Sequence, residues 1–334
     1  PDAKLPRIAV MHTWLNTQTE GWWRMALDQL QVKYDYISTQ DVAKLGDLRA
    51  KYDVILFGPI GGASSRRIID GLPMWGEPMP WKTTELTPNI GRIDSTDDIR
   101  PGLGESGVPN LKRFVHEGGL LITAEDTARF AIDVGLAPGV SVTPTDKLKV
   151  VGSVLQAQFV DRKSPIAASY TRDDLAIYSA EGQSFKISNL VTGDHGLPTA
   201  KDFQRATGRG GPHDTDTPEG RAAVEPEALP DVKPWQATPL NAEQLRNNPW
   251  VIPADQQPQV ILRFAAADKL LIAGLLDHGS EMAERAAVVD ARYGKGHVLL
   301  FASNPMWRGE TIGSYPLVLN AIVHFDKLDR PTGR

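Results

Sequence analysis

Two adjacent carboxylates follow a buried strand in the segment GGLLITAEDTARFA, residues 118–131. The pattern predicts an apolar strand that turns directly into a helix, with Glu125 and Asp126 at the turn. Such a corner presents backbone N–H groups and a helix N-terminus to a substrate, and it often carries a nucleophile. No Ser or Cys occupies it here. Glu125 is therefore the leading candidate for a functional side chain, as a base or as a partner for a hydroxyl group or a cation. The alternative is that both acids stabilise the first helical turn.

Aromatic residues stand near other predicted strand ends. Trp14 follows the first predicted strand, Trp22 opens the first predicted helix, and Trp307 and Arg308 follow the last strand. Because the carboxyl ends of parallel strands share one edge of a sheet, these side chains are expected there together with Glu125. Trp and Arg beside a carboxylate suit a sugar ring or a peptide terminus. The sequence thus predicts a ligand-binding site made of these five residues, and the alternative places some of the Trp residues in the core or in an interface.

Two further motifs resemble metal sites. HGSE (278–281) has the H-x-x-E spacing of two zinc ligands, and GGPHDTDTPEG (210–220) has alternating carboxylates of the kind that bind Ca²⁺. Neither supplies a complete ligand set, so a surface loop and a solvated turn are the expected interpretations. The glycines of GPIGGASS (58–65) lack the pattern of a phosphate-binding loop. We predict no metal and no cofactor.

Composition excludes several classes of function. A net charge of −5 over 334 residues offers no basic surface for nucleic acid or anionic lipid. No apolar run approaches the ~20 residues that span a bilayer, so no membrane partner is expected. The absence of cysteine excludes disulfides, thiolate metal sites and a cysteine nucleophile.

Strands and helices alternate in the first part of the chain, which predicts an α/β fold built on a flavodoxin-like, doubly wound parallel sheet. The later part predicts added β-structure, including a hairpin at YGKG (293–296). We expect a single domain over residues 1–334, with irregular excursions at about 60–104 and 191–258. The second of these is a long insertion rich in Pro, Gly, Asp and Thr.

Several segments in sequence resemble a glutamine-amidotransferase-like domain, of the kind found C-terminal to the catalytic domain of secreted bacterial zinc carboxypeptidase-like proteins. The more specific of them are TEGW, GLG..G...L..FV..GG and GKG.V.LF......RG. The resemblance covers most of the chain outside the two excursions. It implies a class I amidotransferase-like fold, an upstream peptidase domain as a possible partner, and a secreted or periplasmic location.

The same resemblance indicates that the catalytic triad is lost. The nucleophilic Cys of the family matches Ala124, its His matches Asn304, and its acid matches Met306. These side chains supply neither a nucleophile nor a base. We therefore expect a non-catalytic accessory domain that binds a glycan or peptide ligand. Two alternatives stay open: a hydrolase with a rearranged site that uses Glu125, with His12 or His278, and a structural module that mediates oligomer contacts.

Overall fold

A computed structural model describes residues 5–191 and 250–329 of the chain. In this part, five parallel strands form one half of a mixed sheet, in the order β2–β1–β3–β4–β12. These strands are β1 (Ile8–His12), β2 (Asp35–Ser38), β3 (Val54–Phe57), β4 (Leu120–Ala124) and β12 (Gly296–Phe301). The order is that of a flavodoxin-like sheet, so the predicted α/β class is confirmed.

The other half of the sheet is antiparallel. From β12 it continues through β11, β9, β6 and β10, while β7 pairs with β6, and β8 pairs with β11 and β5. The bounds are β5 (Val140–Val142), β6 (Lys149–Phe159), β7 (Asp174–Ser179), β8 (Phe185–Ile187), β9 (Gln259–Phe264), β10 (Leu271–Asp277) and β11 (Ala286–Tyr293). The predicted added β-structure is therefore this antiparallel half, and the predicted hairpin joins β11 to β12.

Six α-helices accompany the sheet in the described residues: α1 (Gln18–Gln29), α2 (Thr39–Leu45), α3 (Ser65–Asp70), α4 (Gly104–His116), α5 (Asp126–Asp133) and α6 (Tyr315–Val323). The central parallel strands β3, β4 and β12 are buried along their whole length, because they have neighbours on both sides and helices that cover them. No helix in the described ranges is both long and apolar enough to traverse a bilayer.

Residues 71–103 form a long connection between α3 and α4 that crosses the carboxyl side of β1 and β2. Two isolated bridges fix it, Gly71 with Pro101 and Trp81 with Thr96. Arg100 pairs with Asp98 at 2.7 Å, and the Gln40 amide donates to the carbonyl of Asp98 at 2.7 Å. The bridges and the ion pair thus fold the connection on itself, and Gln40 of α2 attaches it to the rest of the domain. Most of the second predicted excursion, 191–258, lies outside the described residues.

Candidate functional site

Glu125, in the turn between β4 and α5, has an unusual backbone conformation. This residue has φ 51° and ψ −119°, a left-handed region that non-glycine residues rarely adopt. Ala124 is still part of β4, where it pairs with Phe301 of β12. A nucleophile at such a corner occupies the strained residue of the turn. Ala124, which the resemblance matches to the nucleophile, lies at the end of β4, and the strained residue of the turn is Glu125.

The side chain of Glu125 is buried. The residue is 4% exposed, and its Oε1 atom has no hydrogen-bond partner among the described residues. Burial raises the pKa of this carboxyl well above its ordinary value, and the nearby Glu181 and Asp126 carboxylates raise it further. The side chain makes no capping bond to α5. Burial of this carboxyl thus favours its protonated form, and its side chain does not cap α5.

Asp126, the second acid of the corner, has a structural role. Its carboxylate accepts hydrogen bonds from the backbone N–H groups of Ile60, Gly62 and Ala63, each at 2.9 Å. Thr127 beside it donates to the carbonyl of Phe57 at 2.7 Å. These bonds tie the start of α5 to the end of β3 and to the loop after it. The Asp126 carboxylate therefore holds the loop in place.

The connection between β7 and β8 covers the corner. The Gln183 amide donates to the carbonyl of Glu125 at 3.1 Å, and a hydrogen bond from the backbone of Ala180 opposes the rise in the Glu125 pKa. Glu181 lies at the outer side of this connection, and partial burial together with Asp126 raises its pKa to about 7. The space above the turn is therefore occupied by the chain itself.

The residues matched to the catalytic His and acid are also committed to packing. Asn304 is buried, and its Oδ1 accepts from the Trp23 indole N–H at 2.8 Å and from the backbone N–H of Met306 at 3.3 Å. Met306 is fully buried. Neither side chain can exchange a proton with a substrate. Asn304 instead anchors α1 against the segment that follows β12.

Three of the predicted aromatic and cationic residues lie together. Trp307 contacts Trp22 edge-on at 6.2 Å between ring centroids, and the Arg308 guanidinium lies 5.4 Å from the Trp22 ring and 5.8 Å from the Trp307 ring. Tyr178 stacks on Trp307 at 5.3 Å with an interplanar angle of 9°. We call Trp22, Tyr178, Trp307 and Arg308 the aromatic cluster. Tyr178 is missed in the sequence because its place beside Trp307 depends on the antiparallel half of the sheet.

The aromatic cluster and the corner are electrostatic neighbours. Burial raises the pKa of the Tyr178 hydroxyl, and the Glu310 and Glu125 carboxylates add to this rise, while Arg308 opposes it. Trp14 belongs to a different group, since its ring contacts His12 at 4.9 Å. The structure therefore groups Trp22, Trp307 and Arg308 and places Trp14 apart from them.

Of the two motifs that resemble metal sites, HGSE lies within the described residues. In HGSE, the Glu281 carboxylate accepts from the backbone N–H groups of Asp146 at 2.6 Å and Lys147 at 2.9 Å, which makes it a loop anchor. Across residues 5–191 and 250–329, no group of three or more His, Asp or Glu side chains is arranged to hold a metal ion. The motif at 210–220 lies outside the described residues.

Comparison with known proteins gives likenesses of structure alone. No protein-family model and no curated protein matches the chain. Among solved structures it is similar to PurLQS from Thermotoga maritima, with 13% identity, 97% of this chain and 100% of that chain covered, and a TM-score of 0.46. It is similar to a proposed GMP synthase component from Thermoplasma acidophilum, with 8% identity, 97% and 95% coverage, and a TM-score of 0.45.

A third similar structure is larger. The chain aligns over 97% of its length with a beta-galactosidase from Bacillus circulans sp. alkalophilus, at 11% identity and a TM-score of 0.44, and it spans 31% of that enzyme. With TM-scores of 0.46 or lower, the α/β class rests on the chain's own sheet.

Proposed function

We propose that this chain is a non-catalytic, glutamine-amidotransferase-like domain that binds a glycan or peptide ligand at the aromatic cluster. The observation that carries the proposal is the environment of Glu125 at the turn between β4 and α5. Glu125 lies at the turn as a buried carboxyl whose pKa is raised by burial, and the Gln183 side chain and the Ala180 backbone contact it from the β7–β8 connection.

Acyl transfer from glutamine needs a nucleophile, a base that activates it, and donors for the oxyanion. Ala124, Asn304 and Met306 supply neither of the first two. A carboxyl at the turn also disfavours the anionic intermediate, because any ionisation of Glu125 would place a second negative charge beside it. The chemistry of the side chains thus favours binding over glutamine hydrolysis.

The aromatic cluster supports the binding part of the proposal. Trp22 and Trp307 are partly exposed, and Arg308 is exposed, so a ligand can reach all three side chains. Indole rings next to a guanidinium suit the apolar face and the hydroxyl groups of a sugar, or a peptide terminus. Glu125 is close enough to influence the Tyr178 hydroxyl of the cluster. Because the exposed Arg308 guanidinium disfavours a cation, the expected ligand is a neutral glycan or the carboxyl terminus of a peptide.

The context of the domain follows from the resemblance alone. We infer that the chain belongs to an exported protein with a zinc carboxypeptidase-like domain upstream, that it acts in a secreted or periplasmic setting, and that residues 1–334 form a single domain. The parallel and antiparallel halves form one continuous sheet, which supports the inference of a single domain.

The test of the binding proposal is a panel of oligosaccharides and dipeptides, followed by calorimetry on hits. Trp307→Ala should abolish binding, and Trp75→Ala is the matched control because Trp75 is 86% exposed on the 71–103 connection. Ammonia release from glutamine is measured in parallel. Ammonia above background that Glu125→Gln removes, or ligand affinity that Trp307→Ala leaves intact, contradicts the proposal.

A second candidate is a hydrolase that uses Glu125 as its acid. The observation in its favour is the strained backbone of a buried carboxyl with a raised pKa, a combination that clusters at active sites. Hydrolysis of any glycoside or peptide in the panel, lost in Glu125→Gln with an unchanged melting temperature, would favour this candidate over the first.

A further inference from the structure

A cleft of about 540 Å³ lies at the carboxyl ends of β1 and β2, apart from the corner at β4. Its floor includes His12 and Tyr36, and its far wall comes from the 71–103 connection, with Trp81 and the stretch 89–94. In a sheet of order 2-1-3-4-5, the strand order reverses between β1 and β3, and ligands bind outside the carboxyl ends at this reversal. The cleft lies at the same carboxyl edge, on the β1–β2 side of this reversal, and its lining comes from β1, β2 and the loop after β1.

The wall of the cleft is held in place by one buried contact across the chain. The His12 Nε2 atom lies 2.6 Å from the Asp94 carboxylate, and His12 is 2% exposed. The His12 ring also stacks on Tyr36 at 4.2 Å with an interplanar angle of 11°. Because these contacts fix both sides, the cleft is formed without a ligand, which lowers the cost of binding one.

Arg24 brings a positive charge to this cleft that is only weakly compensated. Its guanidinium lies 4.3 Å from the centre of the Tyr36 ring. Its Nε lies 3.8 Å from the Glu20 carboxyl and has no hydrogen-bond partner among the described residues. Burial raises the pKa of Glu20 to about 7, so this carboxyl carries only part of a negative charge near neutral pH. The Asp94 carboxylate, the acid that lines the cleft, is engaged by His12.

Trp14 adds a second donor in need of an acceptor. Its ring lines the cleft, and its indole Nε1 is buried without a hydrogen-bond partner in the described part of the chain. Buried N–H groups are almost always paired. Arg92 also lines the cleft, so its lining contains two arginines and one carboxylate, Asp94. The lining is thus rich in donors and positive charge, between the indole rings of Trp14 and Trp81.

From these contacts we propose that the cleft binds an organic carboxylate, whose carboxylate group pairs with Arg24 and whose ring-shaped or apolar body lies between Trp14 and Trp81. A carboxylate offers the acceptor lone pairs that the unpartnered donors lack, and a guanidinium binds it through two parallel hydrogen bonds. The indole rings contribute contact area to the body of the ligand. This site is separate from the aromatic cluster, because none of the four residues of that cluster lines the cleft.

The experiment uses three probes of the same shape: phenylacetate, phenylacetamide and phenethylamine. Calorimetry on the full chain should show binding of phenylacetate, at least tenfold weaker binding of the amide, and none of the amine. Arg24→Gln should weaken phenylacetate binding by about 10- to 100-fold, as expected for the loss of a charge-assisted pair, and leave the amide unchanged. Trp81→Ala should weaken both ligands together. Arg66→Gln, on α3, is the control.

Three results overturn the proposal: no phenylacetate binding in the millimolar range, equal binding of acid and amide, or an acid-to-amide ratio that Arg24→Gln leaves unchanged. Circular dichroism and the melting temperature establish that each variant folds. If Arg24→Gln unfolds the protein, Arg24→Lys and Arg92→Gln replace it. The charge model then requires that Arg24→Lys retain the preference for the acid and that Arg92→Gln reduce it.

Discussion

Replacing Glu20 by Gln should change how the stability of the protein depends on pH. Glu20 is 3% exposed, and its Oε1 accepts from the Tyr36 hydroxyl at 2.5 Å. Burial raises its pKa from 4.5 to about 7, against the opposing effects of the Tyr36 hydrogen bond and of Arg24. Since about 1.4 kcal/mol corresponds to one pH unit, this rise amounts to about 3 kcal/mol of unfolding free energy.

The sign follows from linkage. The pKa of the folded state lies above that of the unfolded state, so the stabilising contribution is complete below pH 4.5 and is lost as the pH rises through about 7. A Gln side chain keeps an acceptor for Tyr36 and does not ionise. The unfolding free energy of Glu20→Gln relative to the parent protein should therefore rise by about 3 kcal/mol between pH 4 and pH 8.

Urea unfolding at a series of pH values measures this difference directly. Glu85→Gln serves as the control, because Glu85 is exposed in the 71–103 connection and should give a difference close to zero at every pH. A Glu20→Gln difference that stays flat from pH 4 to pH 8 would refute the reasoning. It would mean that Arg24 keeps Glu20 ionised in the folded protein, which would also remove the free charge assigned to the carboxylate cleft.

Three further outcomes are expected. Burial lowers the pKa of His297, but the Asp290 and Asp329 carboxylates outweigh burial and raise this pKa above 6.5. The loss of unfolding free energy in His297→Gln, measured by urea titration, should therefore be largest below that pH and shrink as the pH rises. Asp126→Ala leaves three backbone N–H groups without their acceptor and should cost about 3 kcal/mol or more in the same assay. Gly296→Ala should lower the melting temperature sharply, because its Cβ would collide with the backbone carbonyl oxygens of Val115 and Gly119; an unchanged value would contradict the tight approach of α4 to β12.

The sequence predicts the parts of this fold that are encoded locally. About ten residues of sequence are enough to predict each of three features: the apolar run of β1, the apolar run of β4, and the Tyr-Gly-Lys-Gly turn between β11 and β12. The strand–helix corner is equally local, and Glu125 is placed at it correctly. The sequence does not predict which residue of the corner has a positive φ, because Glu rarely adopts a left-handed conformation.

The parts that the sequence leaves open depend on distant contacts. His12 and Asp94 are 82 positions apart, and the amide of Gln183 reaches Glu125 across 58 positions. Neither pair has a local pattern, so the cover over the corner and the fixed wall of the cleft emerge only from the three-dimensional arrangement. The separation of Trp14 from Trp307 has the same origin. Both residues lie at the carboxyl edge of the sheet, but Trp14 follows β1 and Trp307 follows β12.

The position of β12 has a consequence for how the chain reaches its folded state. β12 lies between β4 and β11 and pairs with both, yet it is far from β4 in sequence: the Thr123 hydroxyl of β4 donates to the backbone carbonyl of Leu299 across 176 positions. While the chain is being synthesised, the first four strands can assemble long before β12 exists, and until then β4, a strand that is fully buried in the folded protein, presents an open edge. Long-range pairing of this kind slows folding and leaves the nascent chain prone to intermolecular strand pairing. Premature termination before residue 296 should therefore yield aggregates instead of a smaller folded domain.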